Sequence, residues 1–239
     1  MALSAPIFML KRKAKLMSRR DKMKLGDALD RVARAEGYNA WSHLAGSIGT
    51  DGRTQDLAQL ARFVAGETVL IGARPGQGKT LFGLRLLIAA AKTGRTGAFF
   101  TLDYTQRDFD ARLSRLGTNR DQLGPDFAFH DSDGINADYI IAALAEAGAG
   151  SIGVIDYLQL LDQRRDNPPL QDQIAALKAF ARSSGVILVF ISQIDRMFDD
   201  SGRTLPDLSD IRLPNHLDLQ LFDKFVFLNA GETGFRDAA

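Results

Sequence analysis

Eight consecutive residues, Ala73-Arg-Pro-Gly-Gln-Gly-Lys-Thr80, carry the most specific chemistry in the chain. Glycines in such a loop let successive backbone N–H groups turn inward and let the backbone approach an anion closely. A short apolar run, Thr68–Gly72, leads into the loop and a helical stretch, Leu81–Lys92, follows it. A helix N-terminus adds unpaired N–H donors and a positive dipole end. In that arrangement Lys79 reaches the outer phosphates of a nucleoside triphosphate, and the Thr80 hydroxyl meets Mg²⁺. The expected nucleotide-binding residues are therefore Ala73, Arg74, Pro75, Gly76, Gln77, Gly78, Lys79, Thr80 and Leu81, with ATP and Mg²⁺ as cofactors. The usual pattern begins with glycine where Ala73 stands, so Gly72, one residue earlier, is expected to ease the turn.

A phosphate loop needs a carboxylate for its metal, at the end of a neighbouring buried strand. Ile152-Gly-Val-Ile-Asp156 supplies one, which makes Thr80 and Asp156 the expected metal ligands. The competing reading of Asp156 is a cap on the turn that follows it.

These residues need a scaffold, and the hydropathy pattern describes it. Apolar runs at 68–72, 97–102, 152–155, 186–191 and 225–228 alternate with helical stretches at 81–92, 108–116 and 170–182. A weaker strand at 127–130 and a helix at 137–147 fit the same alternation. Short buried runs separated by helices indicate a mainly parallel sheet flanked by helices, an α/β fold. The first 50 residues differ. Leu3, Ile7, Leu10, Ala14 and Met17 recur at helical spacing among Lys11, Arg12, Lys13 and Lys15, which predicts an amphipathic helix with a basic face. Leu25, Ala28, Leu29 and Val32 predict a second helix ending near Gly37, and Trp41 and Leu44 mark a short third one. The expected organisation is a small basic helical module at 1–50, linked through Gly46–Arg53 to a nucleotide-binding domain at 51–239.

The loop resembles the ATP loop of the DnaB-type replicative helicases, which also begins with alanine. Ile155-Asp-Tyr-Leu-Gln-Leu160 is similar to that family's acidic motif, Ile191-Ser-Gln-Ile-Asp-Arg196 to its Ser-Gln-x-Asn-Arg segment, and Leu208-Ser-Asp-Ile-Arg212 to its Ser-Asp-Leu-Arg segment. The likeness covers roughly residues 66–229 and implies a RecA-like P-loop ATPase core. It also implies roles. Thr101-Leu-Asp103 stands where the family has Ser-Leu-Glu, so Asp103 takes the place of the carboxylate that polarises the attacking water, one methylene shorter. The other reading of Asp103 is a cap on the helix after Thr105. Gln193 takes the place of the residue that senses the terminal phosphate. The expected catalytic set is thus Lys79, Asp103 and Gln193. The family has a larger N-terminal domain and assembles into rings, which implies a homo-oligomer. It also supplies an arginine finger from a neighbouring subunit near its C-terminal end. Arg236, the last arginine here, is not equated with that finger. Gly-Glu-Thr-Gly at 231–234 is similar to a shortened form of the family's C-terminal loop.

Composition bounds the rest. The absence of cysteine excludes disulfides, thiolate nucleophiles and cysteine-ligated zinc. The histidines, His43, His130 and His216, show no metal-ligand spacing. No apolar run is long enough to span a bilayer, and the N-terminus is a poor signal peptide, so a cytoplasmic protein without membrane contact is expected. Residues 1–50 carry a net charge of +6 and the remainder −5, against +1 overall. A basic arm on an acidic body points to an anionic partner, and single-stranded DNA held by residues 11–24 is the expectation; a solvated helix face is the other reading. The segment Asp195–Asp207 is acidic and poor material for phosphate contacts. Three functions fit: a DNA-dependent, helicase-like ATPase; an ATP-gated switch with little hydrolysis; and a small-molecule kinase. The kinase fits least, because the region that would form its lid offers only Arg196, Arg203 and Arg212.

Overall fold

A computed structural model describes all residues except 1–3, 6, 43, 45–55, 165, 214, 216 and 239. The proposed linker at 46–53 and the helix-period residue Leu3 lie outside the described residues, as do His43 and His216. The described chain forms two compact units, Met1–Asp56 and Leu57–Ala239.

The first unit holds α1 (Ile7–Arg20) and α2 (Leu25–Ala35), and the chain is helical again at Trp41, Ser42 and Leu44. Leu10 and Ala14 of α1 bury against Ala28, Val32 and Ala33 of α2 and against Leu44. These residues recur at the three- and four-residue intervals that put apolar side chains on one helix face. Trp41 packs half-buried on this cluster, and its backbone N–H donates to the Asp30 carboxylate at 2.8 Å.

The second unit is a seven-stranded sheet in the order β3-β2-β4-β5-β1-β6-β7. The strands are β1 (Thr68–Ala73), β2 (Gly97–Thr101), β3 (Ala128–His130), β4 (Ile152–Asp156), β5 (Ile187–Gln193), β6 (Lys224–Asn229) and β7 (Glu232–Asp237). Every pairing is parallel except β6 with β7. The helices between strands are α3 (Lys79–Lys92), α4 (Gln106–Arg115), α5 (Ala137–Leu144) and α6 (Leu170–Ser184). Alternate strand residues face opposite sides of a sheet. Val69, Ile71, Val154, Val189 and Ile191 therefore join a core with α3 and α4, while Leu70, Ile155, Leu188 and Phe190 join a second core with α5 and α6. Central strands buried on both faces explain the continuous apolar runs in the sequence.

Glycines fix two close approaches. A Cβ at Gly83, in the second turn of α3, would stand 2.9 Å from Val154 of β4. A Cβ at Gly72 would stand 2.9 Å from Ile194 and 3.1 Å from Phe227. Gly72 lies within β1, so its role is packing rather than the turn-easing expected of it. The last strand, β7, has no counterpart in the hydropathy pattern.

Candidate ATP site

The loop expected to hold phosphate joins β1 to α3. Ala73 is the last residue of β1, fully buried between Gln193 of β5 and Leu228 of β6. It is an ordinary strand residue, which explains why glycine is not required there. Gly76 (φ 79°) and Gly78 (φ 91°) adopt left-handed backbone, and Gly78 is the N-cap of α3. A Cβ at either would meet no atom within 4 Å. Glycine is needed at these two positions for backbone conformation, not for space.

Thr80, in the first turn of α3, and Asp156, the last residue of β4, converge: the Thr80 hydroxyl donates to Asp156 Oδ2 at 2.7 Å. Both residues are buried. The Asp156 carboxylate therefore faces α3 rather than capping the turn after it. Burial pushes its pKa up to about 6, opposed by the Thr80 hydrogen bond and by Lys79, and assisted by Asp103. Burial also pushes the Lys79 ammonium below its ordinary value, while Asp156 and Asp103 hold it up and Arg74 depresses it. A buried carboxylate with one hydroxyl donor, and with a partly buried lysine acting on it only through its field, is short of positive charge.

Asp103 lies two residues beyond Thr101, which sits beside Asp156 in the β2–β4 pairing. Its N–H donates to Thr101 Oγ1 at 3.1 Å and its side chain is exposed. The cap of α4 is made by Thr105 and Asp108 in a reciprocal capping box, so Asp103 is not the cap. Gln193, half-buried, ends β5 beside Ala73. The structure thus brings Lys79, Thr80, Asp103, Asp156 and Gln193 to the C-terminal edge of four adjacent strands. Crevices at that edge are where open α/β sheets bind ligands.

Several side-chain ties around the loop carry no signal in the sequence. Arg74 turns to the segment after β5: it pairs with Asp199 at 2.9 Å and donates to the Ile194 carbonyl at 3.1 Å. The Gln77 side chain accepts from Ala230 N–H in the β6–β7 turn at 2.9 Å. Arg212 N–H donates to the Gln193 carbonyl at 2.8 Å, and Gln159 donates to the Arg212 carbonyl at 3.1 Å. The Ser-Asp-Ile-Arg segment is a brace for the end of β5, held in turn by an Arg203–Asp210 pair at 2.6 Å. Arg74 and Asp199 lie 125 positions apart in the chain, too far for any local pattern to join them. Pro75 lies within the loop, and Leu81, in the first turn of α3, is exposed.

The family model "ATPase: KaiC" matches residues 53–210. The replicative DNA helicase DnaB of Mycoplasma genitalium is 26% identical over 182 residues, which cover 62% of this chain and 39% of that protein. The chain spans less than half the length of the curated relatives it matches. Among solved structures, a DnaB-like replicative helicase, described with its interactions with primase, superposes with a TM-score of 0.52 at 23% identity, covering 69% of this chain and 48% of that one. A KaiC-like protein of Pyrococcus horikoshii superposes with a TM-score of 0.52 at 19% identity, covering 68% of this chain and 70% of that one. The fold is that of RecA-like ATPase domains, and the chain belongs to the KaiC family of ATPases, with DnaB-type helicases among its relatives.

Proposed function

We propose that the chain binds ATP with Mg²⁺ at the Ala73–Leu81 loop and hydrolyses it, and that residues 11–24 contact DNA. The observation that carries the first part is the buried Thr80–Asp156 hydrogen bond beside a partly buried Lys79. A hydroxyl and one carboxylate suit a hard cation that keeps waters and phosphate oxygens as its other ligands. The shortage of positive charge around Asp156 is a further fit. When bound, Mg²⁺ would neutralise phosphate charge, held by Thr80 and Asp156. Lys79 places its ammonium on the outer phosphates, Gln193 donates to the terminal one, and Asp103 accepts from the attacking water.

The DNA contact rests on charge. Lys11, Arg12, Lys13, Lys15, Arg19, Arg20, Lys22 and Lys24 are all exposed on or just beyond α1. No helix among the described residues is long and apolar enough to cross a membrane. We place the chain in the cytoplasm and propose self-association, after its relatives.

The test is ATP turnover by wild type and Lys79→Ala, with and without single-stranded DNA. Lys79→Ala is expected to fall by ~10²–10³-fold, the usual cost of removing one donor that stabilises developing charge. DNA is expected to accelerate the wild type. A second reading, an ATP-gated switch with little hydrolysis, is favoured by the short reach and exposure of Asp103. It expects nucleotide binding with turnover at the Lys79→Ala background, whether or not DNA is present.

A further inference from the structure

Beside the ATP site lies a cleft of about 300 Å³ lined by Asp103, Tyr104, Asp108, Ala111, Arg112 and Arg115. It is lined by two residues that follow β2 and by one face of α4. Arg112 lies over the ring of Tyr104 there, with the guanidinium carbon 4.1 Å from the ring centroid. A guanidinium over an aromatic face is held by the ring quadrupole and keeps its edge N–H groups for other acceptors. Tyr104 is the residue next to Asp103, so the ring that seats the arginine is joined through the backbone to the carboxylate.

The start of α4 is fixed as well. Thr105 and Asp108 form the reciprocal cap, and Phe109 and Leu113 bury the opposite face of the helix in the core. Arg112 is thus presented from a rigid helix, one turn after Asp108. Asp103, in contrast, has an exposed side chain, and its backbone N–H is tied to Thr101. A short carboxylate that must orient water needs something to hold its direction. Arg112 also joins Lys79 as a cation whose field reaches Asp156.

We propose that Arg112 is a positioning residue for ATP hydrolysis: seated on Tyr104 in the cleft it shares with Asp103, where the two side chains form no ion pair in this structure, its guanidinium engages the Asp103 carboxylate and turns it toward the attacking water once ATP is bound. This role rests on the ATPase reading above and deepens it. It gives a reason why aspartate, shorter than glutamate, can serve at position 103. The carboxylate is drawn to a fixed cation instead of relying on its own length.

The test compares Arg112→Ala, Arg112→Lys, Tyr104→Phe and Tyr104→Ala by single-turnover ATP hydrolysis, with Kd for a non-hydrolysable ATP analogue and thermal midpoints measured in parallel. Arg112→Ala is expected to slow the hydrolytic step about tenfold or more, within the range set by general acid–base positioning. Its nucleotide Kd stays within about twofold, as positioning without nucleotide contact requires, and its midpoint is unchanged. Arg112→Lys recovers part of the rate, because it keeps charge without the planar fork. Tyr104→Phe behaves as wild type and Tyr104→Ala as Arg112→Ala. Two results overturn the assignment: an Arg112→Ala rate equal to wild type, or a loss of rate matched by losses in Kd and midpoint. Wild-type hydrolysis no faster than Lys79→Ala would sink the ATPase reading itself, and this assignment with it.

Discussion

The ATP site and the α1 helix use the same cations in opposite surroundings. Lys79 is partly buried, is depressed below its ordinary pKa and is flanked by two carboxylates. The eight lysines and arginines from Lys11 to Lys24 stand in solvent, on and after a helix that buries Leu10 and Ala14. At the first place charge acts in low dielectric at fixed geometry, where a single group decides the outcome. At the second, each charge is screened and interchangeable, and the effect is collective.

The difference is sharpest at Asp156. Its pKa of about 6 lies above that of an unfolded aspartate, so the folded state binds the proton more tightly. The charged form therefore costs stability above pH 6, and that cost fades as pH falls toward about 4, the ordinary aspartate value. With metal chelated at about pH 8, Asp156→Asn is expected to raise unfolding stability by up to about 3 kcal/mol, the equivalent of roughly two pKa units, while removing Mg²⁺-dependent turnover. Denaturant melts of both proteins at about pH 8 and about pH 5, on either side of the shifted value, check this. A variant no more stable than wild type at the higher pH would erase the contrast between the two regions.

The collective side is tested by replacing Lys11, Arg12, Lys13 and Lys15 together with glutamine. Single-stranded DNA affinity at low salt is expected to fall about tenfold or more, and the slope of log K against log salt to shrink by ~0.7 for each phosphate the protein ceases to neutralise. Turnover without DNA should not change. Fluorescence anisotropy across a salt series reads both quantities. The smallest effect belongs to an exposed pair. Arg20 and Asp21 meet at 2.7 Å, but the arginine is 77% exposed. Arg20→Ala should leave the thermal midpoint where it is, because exposed ion pairs contribute little.

Much of this is legible in the sequence because burial leaves a periodic mark. Val69, Ile71, Val154 and Val189 are buried on a sheet covered from both sides, so their runs read as strands without alternation. The loop is legible because glycine at 76 and 78 answers a backbone need that few residues can meet. What stays hidden is of two kinds. The strand β7 sits at the sheet edge with half-exposed residues, and Glu232-Thr-Gly-Phe-Arg-Asp237 carries no apolar run to announce it. The ties around the site, Arg74 to Asp199 and Gln77 to Ala230, join distant segments through polar side chains, and polar residues in loops have no period. Gly72 misleads for a related reason. A glycine before a loop suggests a turn, and only the side chains of Ile194 and Phe227 show that the space is taken.

Gly83 carries a consequence for tolerance. It lets the second turn of α3 rest directly on Val154 of β4, three residues after Thr80 and two before Asp156. The hydroxyl and the carboxylate are thus indexed to one another by a hard contact between a helix and a strand, close to the hydrogen bond they share. A side chain at position 83 would push this turn of α3 off β4, and with it the Thr80 hydroxyl away from the Asp156 carboxylate.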